Sequence, residues 1–129
     1  MILNIRTGVE NKITRTVRKE DLASVYGDEH LPVLATSKIV AFMEFTALTS
    51  IQKLLPEGFT SVGTKIDIQH LRPATLGTEV TCRSRLTDIE GRNIVFDITL
   101  HSPIGVLSKA IHERAVVNED AFKRRINIS

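Results

Sequence analysis

One uninterrupted helical stretch constrains this chain more than any other feature. From Ser37 to Leu55 there is neither glycine nor proline, and the stretch stops at Pro56-Glu57-Gly58, a proline stop followed by a turn glycine. Thr36 or Ser37 can cap its start. After Gly58 the apolar period changes from that of a helix to that of a strand. Val62, Thr64, Ile66, Ile68 and His70 read as one face of a first strand, and Ser61, Lys65, Asp67 and Gln69 as the other, with Arg72-Pro73 ending it. Val80, Cys82, Ser84 and Leu86 alternate in the same way, and Glu90-Gly91 turns the chain into Ile94, Phe96, Ile98 and Leu100, which predicts a hairpin. Pro103-Ile104-Gly105 then leads into a last strand from about Val106 to Val117. Its apolar residues fall on both faces, which predicts cover on both sides or a dimer contact.

Everything after Gly58 therefore reads as an antiparallel meander. Upstream, an extended segment is expected around Asn11 to Arg18, then one helical turn at Asp21 to Tyr26, broken by Gly27 and again at Pro32. Downstream, Asn118 can cap a short tail helix whose acidic start, Glu119-Asp120, and basic end, Lys123-Arg124-Arg125, complement the helix dipole. One long helix and about five strands, each with one apolar face, bury those faces only against each other, so the expected class is α+β with the helix on an antiparallel sheet. This order resembles the hotdog fold, a curved sheet wrapped around one central helix. The 129 residues allow a real core but no second full domain, so residues 1–129 are expected to form one unit.

Charge and composition narrow the partners. The net charge is only +2, the basic residues are scattered, and aromatic residues are 5% of the chain with no tryptophan, so nucleic acid is not an expected partner. No apolar run reaches the roughly 18 residues of a membrane span, and Met1-Ile2-Leu3-Asn4 is too short for a signal peptide. The single cysteine, Cys82, can form no internal bridge and offers no zinc-type spacing. A cytoplasmic protein without a metal is expected, with Cys82 packed as a small core residue.

On the helix one residue is out of place. At about 100° per position, Lys38, Thr46, Thr49, Gln52 and Lys53 share a polar sector that should face water. The opposite sector holds Val40, Met43, Ala47, Leu48, Ile51, Leu54 and Leu55, and Glu44 falls among them. An ionised carboxylate there must pair, neutralise, or serve a function that tolerates its cost. His70, last of the inward series of the first strand, points at the same helix–sheet seam. Each has a plain reading, Glu44 as half of a buried ion pair and His70 as a satisfied core histidine. Together they make a plausible acid–base pair. Thr36 is most simply a cap, Gly63 a bulge or a close approach, and Arg114 a solvated ion-pair residue.

The run Leu34-Ala35-Thr36-Ser37 through Met43-Glu44, then Ser61-Val62-Gly63-Thr64, His70, and His112-Glu113-Arg114-Ala115-Val116, resembles the hotdog acyl-CoA thioesterases of the fluoroacetyl-CoA thioesterase type. The resemblance spans about Ile13 to Phe122. It implies a catalytic group of Thr36, Glu44 and His70, a glycine at Gly63 whose backbone N–H faces the oxyanion, and an arginine, Arg114, that meets coenzyme A phosphate. The Asp-x-Asn-Pro-x-His motif of hotdog hydratases is absent. In the implied reaction Glu44 attacks the thioester carbonyl or activates water, Thr36 orients it, and His70 assists the departing thiolate. Beyond the coenzyme A of the substrate, no cofactor is implied. Eight helical residues separate Thr36 from Glu44 by about 12 Å, so either Thr36 lies in a loop that folds back or the site is shared across a homodimer, which could associate further into a dimer of dimers. The competing reading is a non-catalytic acyl-CoA-binding hotdog module, a metabolite sensor or carrier, which would not need Glu44.

Overall fold

The computed structural model describes residues 4–27 and 30–127; the leader reading on Met1-Ile2-Leu3 lies outside them. The long helix, α1, runs Thr36–Gln52. Its N-cap is Ala35, extended in backbone and making no side-chain cap bond, so neither Thr36 nor Ser37 caps it. Thr36 is instead the first helical residue, where its hydroxyl is available for other contacts. The expected helical turn upstream becomes two 3-10 turns, Lys19–Asp21 and Ala23–Tyr26, the second closed by Gly27 in the left-handed region (φ 105°).

Five strands form one antiparallel sheet: β1 Glu10–Thr16, β2 Phe59–His70, β3 Glu79–Glu90, β4 Asn93–Ser102 and β5 Gly105–Asn118. A short tail helix, α2, spans Glu119–Asn127, and the Ala121 N–H donates to Asn118 Oδ1 at 2.9 Å, the cap that the sequence predicts. The sheet order is β1-β3-β4-β5-β2. Only β3, β4 and β5 form a meander; β2 crosses over and pairs with β5, from Phe59 opposite Asn118 to His70 opposite Ser108. The eight-residue connection after His70 is too long for a tight hairpin, and it ties to the chain ahead of α1 through the Leu34 N–H to Ala74 carbonyl bond (2.7 Å). Strand β2 is thereby left as a sheet edge.

The sheet wraps α1. Val80, Cys82, Ser84 and Leu86 of β3, and Ile94, Phe96, Ile98 and Leu100 of β4, all point inward as their alternation predicts. They pack on Ile39, Phe42, Met43, Ala47 and Ile51 of α1, each large apolar side chain contributing about 1.5–3 kcal/mol by leaving water. Cys82 is among them, and burial pushes its thiol up to about 11.

Two further expectations are corrected. The helix is turned about its axis relative to the predicted faces: Thr46, expected in water, is 0% exposed. Its Oγ1 donates back to the Phe42 carbonyl at 2.8 Å, which satisfies the buried hydroxyl. Val40, Glu44 and Leu48 are correspondingly only half-buried, and Leu54 is exposed. The second correction is a β-bulge in β2, where the register with β5 slips between Gly63 and Lys65. The extra residue inverts the alternation. Ser61 and Gly63, not Val62 and Thr64, face inward ahead of the bulge, while Ile66, Ile68 and His70 keep the predicted side.

Candidate active site

The seam between α1 and β2 carries two groups of polar side chains. At one end, Thr36 Oγ1 lies 2.9 Å from His70 Nδ1. The start of α1 and the end of β2 create this contact, which engages Nδ1 and not Nε2 of His70. Thr36 thus meets His70 within one chain and does not reach Glu44. Since Thr36 is itself helical, the fold-back loop that would bring the two together in one chain is ruled out.

The second group lies at mid-helix. Glu44 is not buried as the helical wheel predicts: its side chain is 43% exposed. The carboxylate sits over Gly63 so closely that a Cβ on Gly63 would lie 2.7 Å from Glu44 Oε2 and 3.3 Å from His112 Cε1. Glycine is required here for close approach, not for an unusual φ. Arg114 Nη1 stands 4.0 Å from Glu44 Oε2, its guanidinium only 6% exposed.

Three bonds hold that guanidinium. Arg114 Nε donates to Ser61 Oγ at 2.8 Å, Nη2 to the Ser61 carbonyl at 2.9 Å, and Nη1 faces His112 Nε2 at 3.0 Å. Burial pulls the Arg114 pKa below its ordinary value, and the Glu44 carboxylate pulls it back up. The expected contact with a coenzyme A phosphate does not fit this placement, because the guanidinium is turned into the chain toward Glu44 and not outward from the sheet.

His112 was named in the sequence only as part of the resembling run and was given no role. It is 1% exposed, its ring packs at 6.3 Å on Phe96, and its Nδ1 lies 2.9 Å from the Lys65 carbonyl at the bulge. Burial lowers its pKa, the Lys65 carbonyl working the other way. The folded chain therefore keeps His112 neutral at a pH where the unfolded chain would protonate it, and this contribution to stability is lost as the pH falls through the ordinary histidine range. Its place two residues from Arg114, on the same face of β5, was the available signal. Ser61 was hidden by the bulge.

Two of the larger concavities lie elsewhere. One, of about 490 Å³, is on the outer face of the sheet around Asp67, Arg83, Asp97 and Lys109. The other, of about 550 Å³, lies beside the first half of α1 near Arg15, Lys38 and Phe42. Neither contains Thr36, Glu44 or His70. Among the described residues no cluster of His, Cys, Asp or Glu could hold a metal ion, and no helix is long and apolar enough to cross a membrane.

Residues 17–120 match the model of the fluoroacetyl-CoA-specific thioesterase family. The chain belongs to this family. The fluoroacetyl-CoA thioesterase of Streptantibioticus cattleyicolor is 29% identical over 94 residues, 73% of this chain and 68% of that one. A crystal structure of a variant of the fluoroacetyl-CoA-specific thioesterase superposes with a TM-score of 0.88 over 96% of both chains at 24% identity. A hot-dog-like protein from Thermanaerovibrio acidaminovorans does so with a TM-score of 0.88, covering 93% of this chain and 89% of that one, at 27% identity. The fold is hotdog, and the class is that of thioester hydrolases acting on acyl-CoA.

Proposed function

We propose that the chain hydrolyses a short-chain acyl-CoA to the free acid and coenzyme A in a site shared by two copies. Thr36 and His70 come from one copy and Glu44 with Gly63 and Arg114 from the other. The carrying observation is Glu44, a half-exposed carboxylate held over a residue without a side chain, beside a buried cation. A carboxylate so placed can approach a thioester carbonyl lying along β2.

Two routes use these residues in the same positions. In one, a Glu44 oxygen attacks the carbonyl carbon, the C–S bond breaks, and the resulting anhydride is hydrolysed by water. In the other, Glu44 takes a proton from water as its oxygen attacks. In both, His70 faces the departing thiolate and supplies its proton when protonated. A backbone N–H at or near Gly63 receives the oxyanion, and the bulge supports this because it leaves backbone groups outside the ladder. Thr36 holds the His70 ring through the 2.9 Å bond. No cofactor or metal enters, because carboxylate, water and imidazole supply the nucleophile and the protons.

Sharing across a homodimer follows from the distance along α1. Thr36 and Glu44 are eight residues apart on one helix, about 12 Å. The edge of β2, twelve residues long, is a template for pairing with another strand, and the half-buried Val40, Glu44 and Leu48 flank lies on the β2 side of α1. A two-fold pairing of β2 with its copy would run the two helices antiparallel, bringing the start of one toward the middle of the other. We place the enzyme in the cytoplasm.

Thiol release from a panel of short, medium and aryl acyl-CoAs tests the reading. Rapid hydrolysis of a short-chain member is expected; tight binding without hydrolysis of any member would replace the enzyme with an acyl-CoA-binding module. Gly63→Ala should release thiol about 10²-fold more slowly, since its methyl group displaces the Glu44 carboxylate by the order of an ångström. Its Tm should fall only slightly, because Gly63 needs no left-handed backbone and the nearest atom in the way, Glu44 Oε2, ends a flexible, half-exposed side chain.

A further inference from the structure

Arg114 presents only N–H donors, so an atom 3.0 Å from its Nη1 along a hydrogen bond must be an acceptor. For His112 this makes Nε2 the bare nitrogen. The ring's one proton then belongs on Nδ1, where the Lys65 carbonyl, an acceptor only, lies at 2.9 Å. Both neighbours demand the same tautomer, and an imidazolium would set an N–H against an N–H. The groups facing the ring are the Lys65 carbonyl and Ile66 from β2, Phe96 from β4, Arg114 and Glu113 from β5, and Glu44 from α1.

We propose that His112 is a positioning residue: as the neutral Nδ1–H tautomer it links the β2 bulge to Arg114 and thereby sets the Glu44 carboxylate over Gly63. The relay is continuous. The Lys65 carbonyl fixes the ring, the ring and Ser61 fix all three guanidinium nitrogens, and the guanidinium stands 4.0 Å from Glu44. Ser61 alone holds Nε and Nη2, while Nη1, the nitrogen nearest Glu44, is held by His112. Substrate is not touched by His112 in this arrangement; its effect passes through Arg114. This rests on the assignment of Glu44 as the reacting carboxylate, so one readout is chosen that does not.

Nitrogen NMR of the four histidine rings in the wild-type protein, with His112 assigned by its loss in His112→Gln, should show a protonated Nδ1 and a bare Nε2 at neutral pH. The pattern should persist as the pH falls through the ordinary histidine range. An Nε2–H tautomer or an imidazolium at neutral pH would overturn the proposal whether or not the protein hydrolyses thioesters. The kinetic arm uses whichever short-chain acyl-CoA the wild type cleaves. His112→Leu should lower kcat by about 10²-fold with KM little changed. His112→Gln, whose amide oxygen can sit where Nε2 sits, should restore most of the loss. A folded His112→Leu protein turning over at the wild-type rate would refute the relay, as would a His112→Gln protein no better than the leucine variant. A wild type that cleaves no thioester removes the functional reading alone, and the ring tautomer then decides the His112 clamp.

Discussion

Glu44→Gln should abolish thiol release, lowering kcat/KM by about 10³-fold, while leaving a protein that folds and still binds acyl-CoA. The amide keeps the shape and loses the nucleophilic or basic oxygen, and removing a group that moves a proton in the transition state costs about 10²–10⁴-fold. The effect on stability should be small for a reason visible in the fold. Glu44 is half-exposed and stands 4.0 Å from a buried cation whose three nitrogens stay bonded to Ser61 and His112 without it, so losing this long contact should cost about 1 kcal/mol. If Glu44 and its neighbours were instead a structural ion pair, breaking it would cost about 3–5 kcal/mol, and the loss of activity would follow the loss of fold. Parallel measurement of Tm, acyl-CoA affinity and thiol release by the two proteins separates these cases. A binding module would show equal affinity in both and turnover in neither.

What the sequence shows of this fold, and what it hides, has a physical pattern. The inward residues of β3 and β4 were legible because both strands are central, covered by α1 on one face, and regular along the stretch that bears them, so apolar alternation and burial coincide. β2 failed at one point. Gly63 allowed a bulge, yet the alternation of Ser61-Val62-Gly63-Thr64 was taken as regular, and the residue inserted against β5 exchanges the two faces ahead of it and brings Ser61 under Arg114. The helix was misread for a different reason. Its apolar sector is wider than one sheet can cover, and Val40 and Leu48 therefore look like core residues although one chain leaves them half-covered. Glu44 was singled out among them as a carboxylate on the buried face, but its environment is the flank of the helix and not its buried centre. Arg114 was named as a site residue, but its burial and its contact with His112 were hidden by β5's apolar residues on both faces, which drew attention to packing and away from the two polar residues sharing one side.

That half-covered flank leads to the second large effect. Two inactive proteins should recover activity when combined. In a shared site, Glu44→Gln damages one half and His70→Ala the other, so each homodimer has a lesion in both of its sites. A heterodimer holding one chain of each kind concentrates both lesions in one site and leaves the second with an intact Glu44 from one chain and an intact Thr36 and His70 from the other. Heterodimers made by co-expression with two different tags, and purified through both in succession, should turn over at about half the wild-type rate. Each parent should remain at its own low rate, the His70→Ala parent lower than wild type by about 10²-fold. A site contained in one chain predicts no recovery, since every chain in the mixture then carries a lesion in its own site. The 12 Å that α1 sets between Thr36 and Glu44 makes recovery the expected result, because a helix cannot shorten to close that gap, and a site that uses both groups must then take one of them from a second copy.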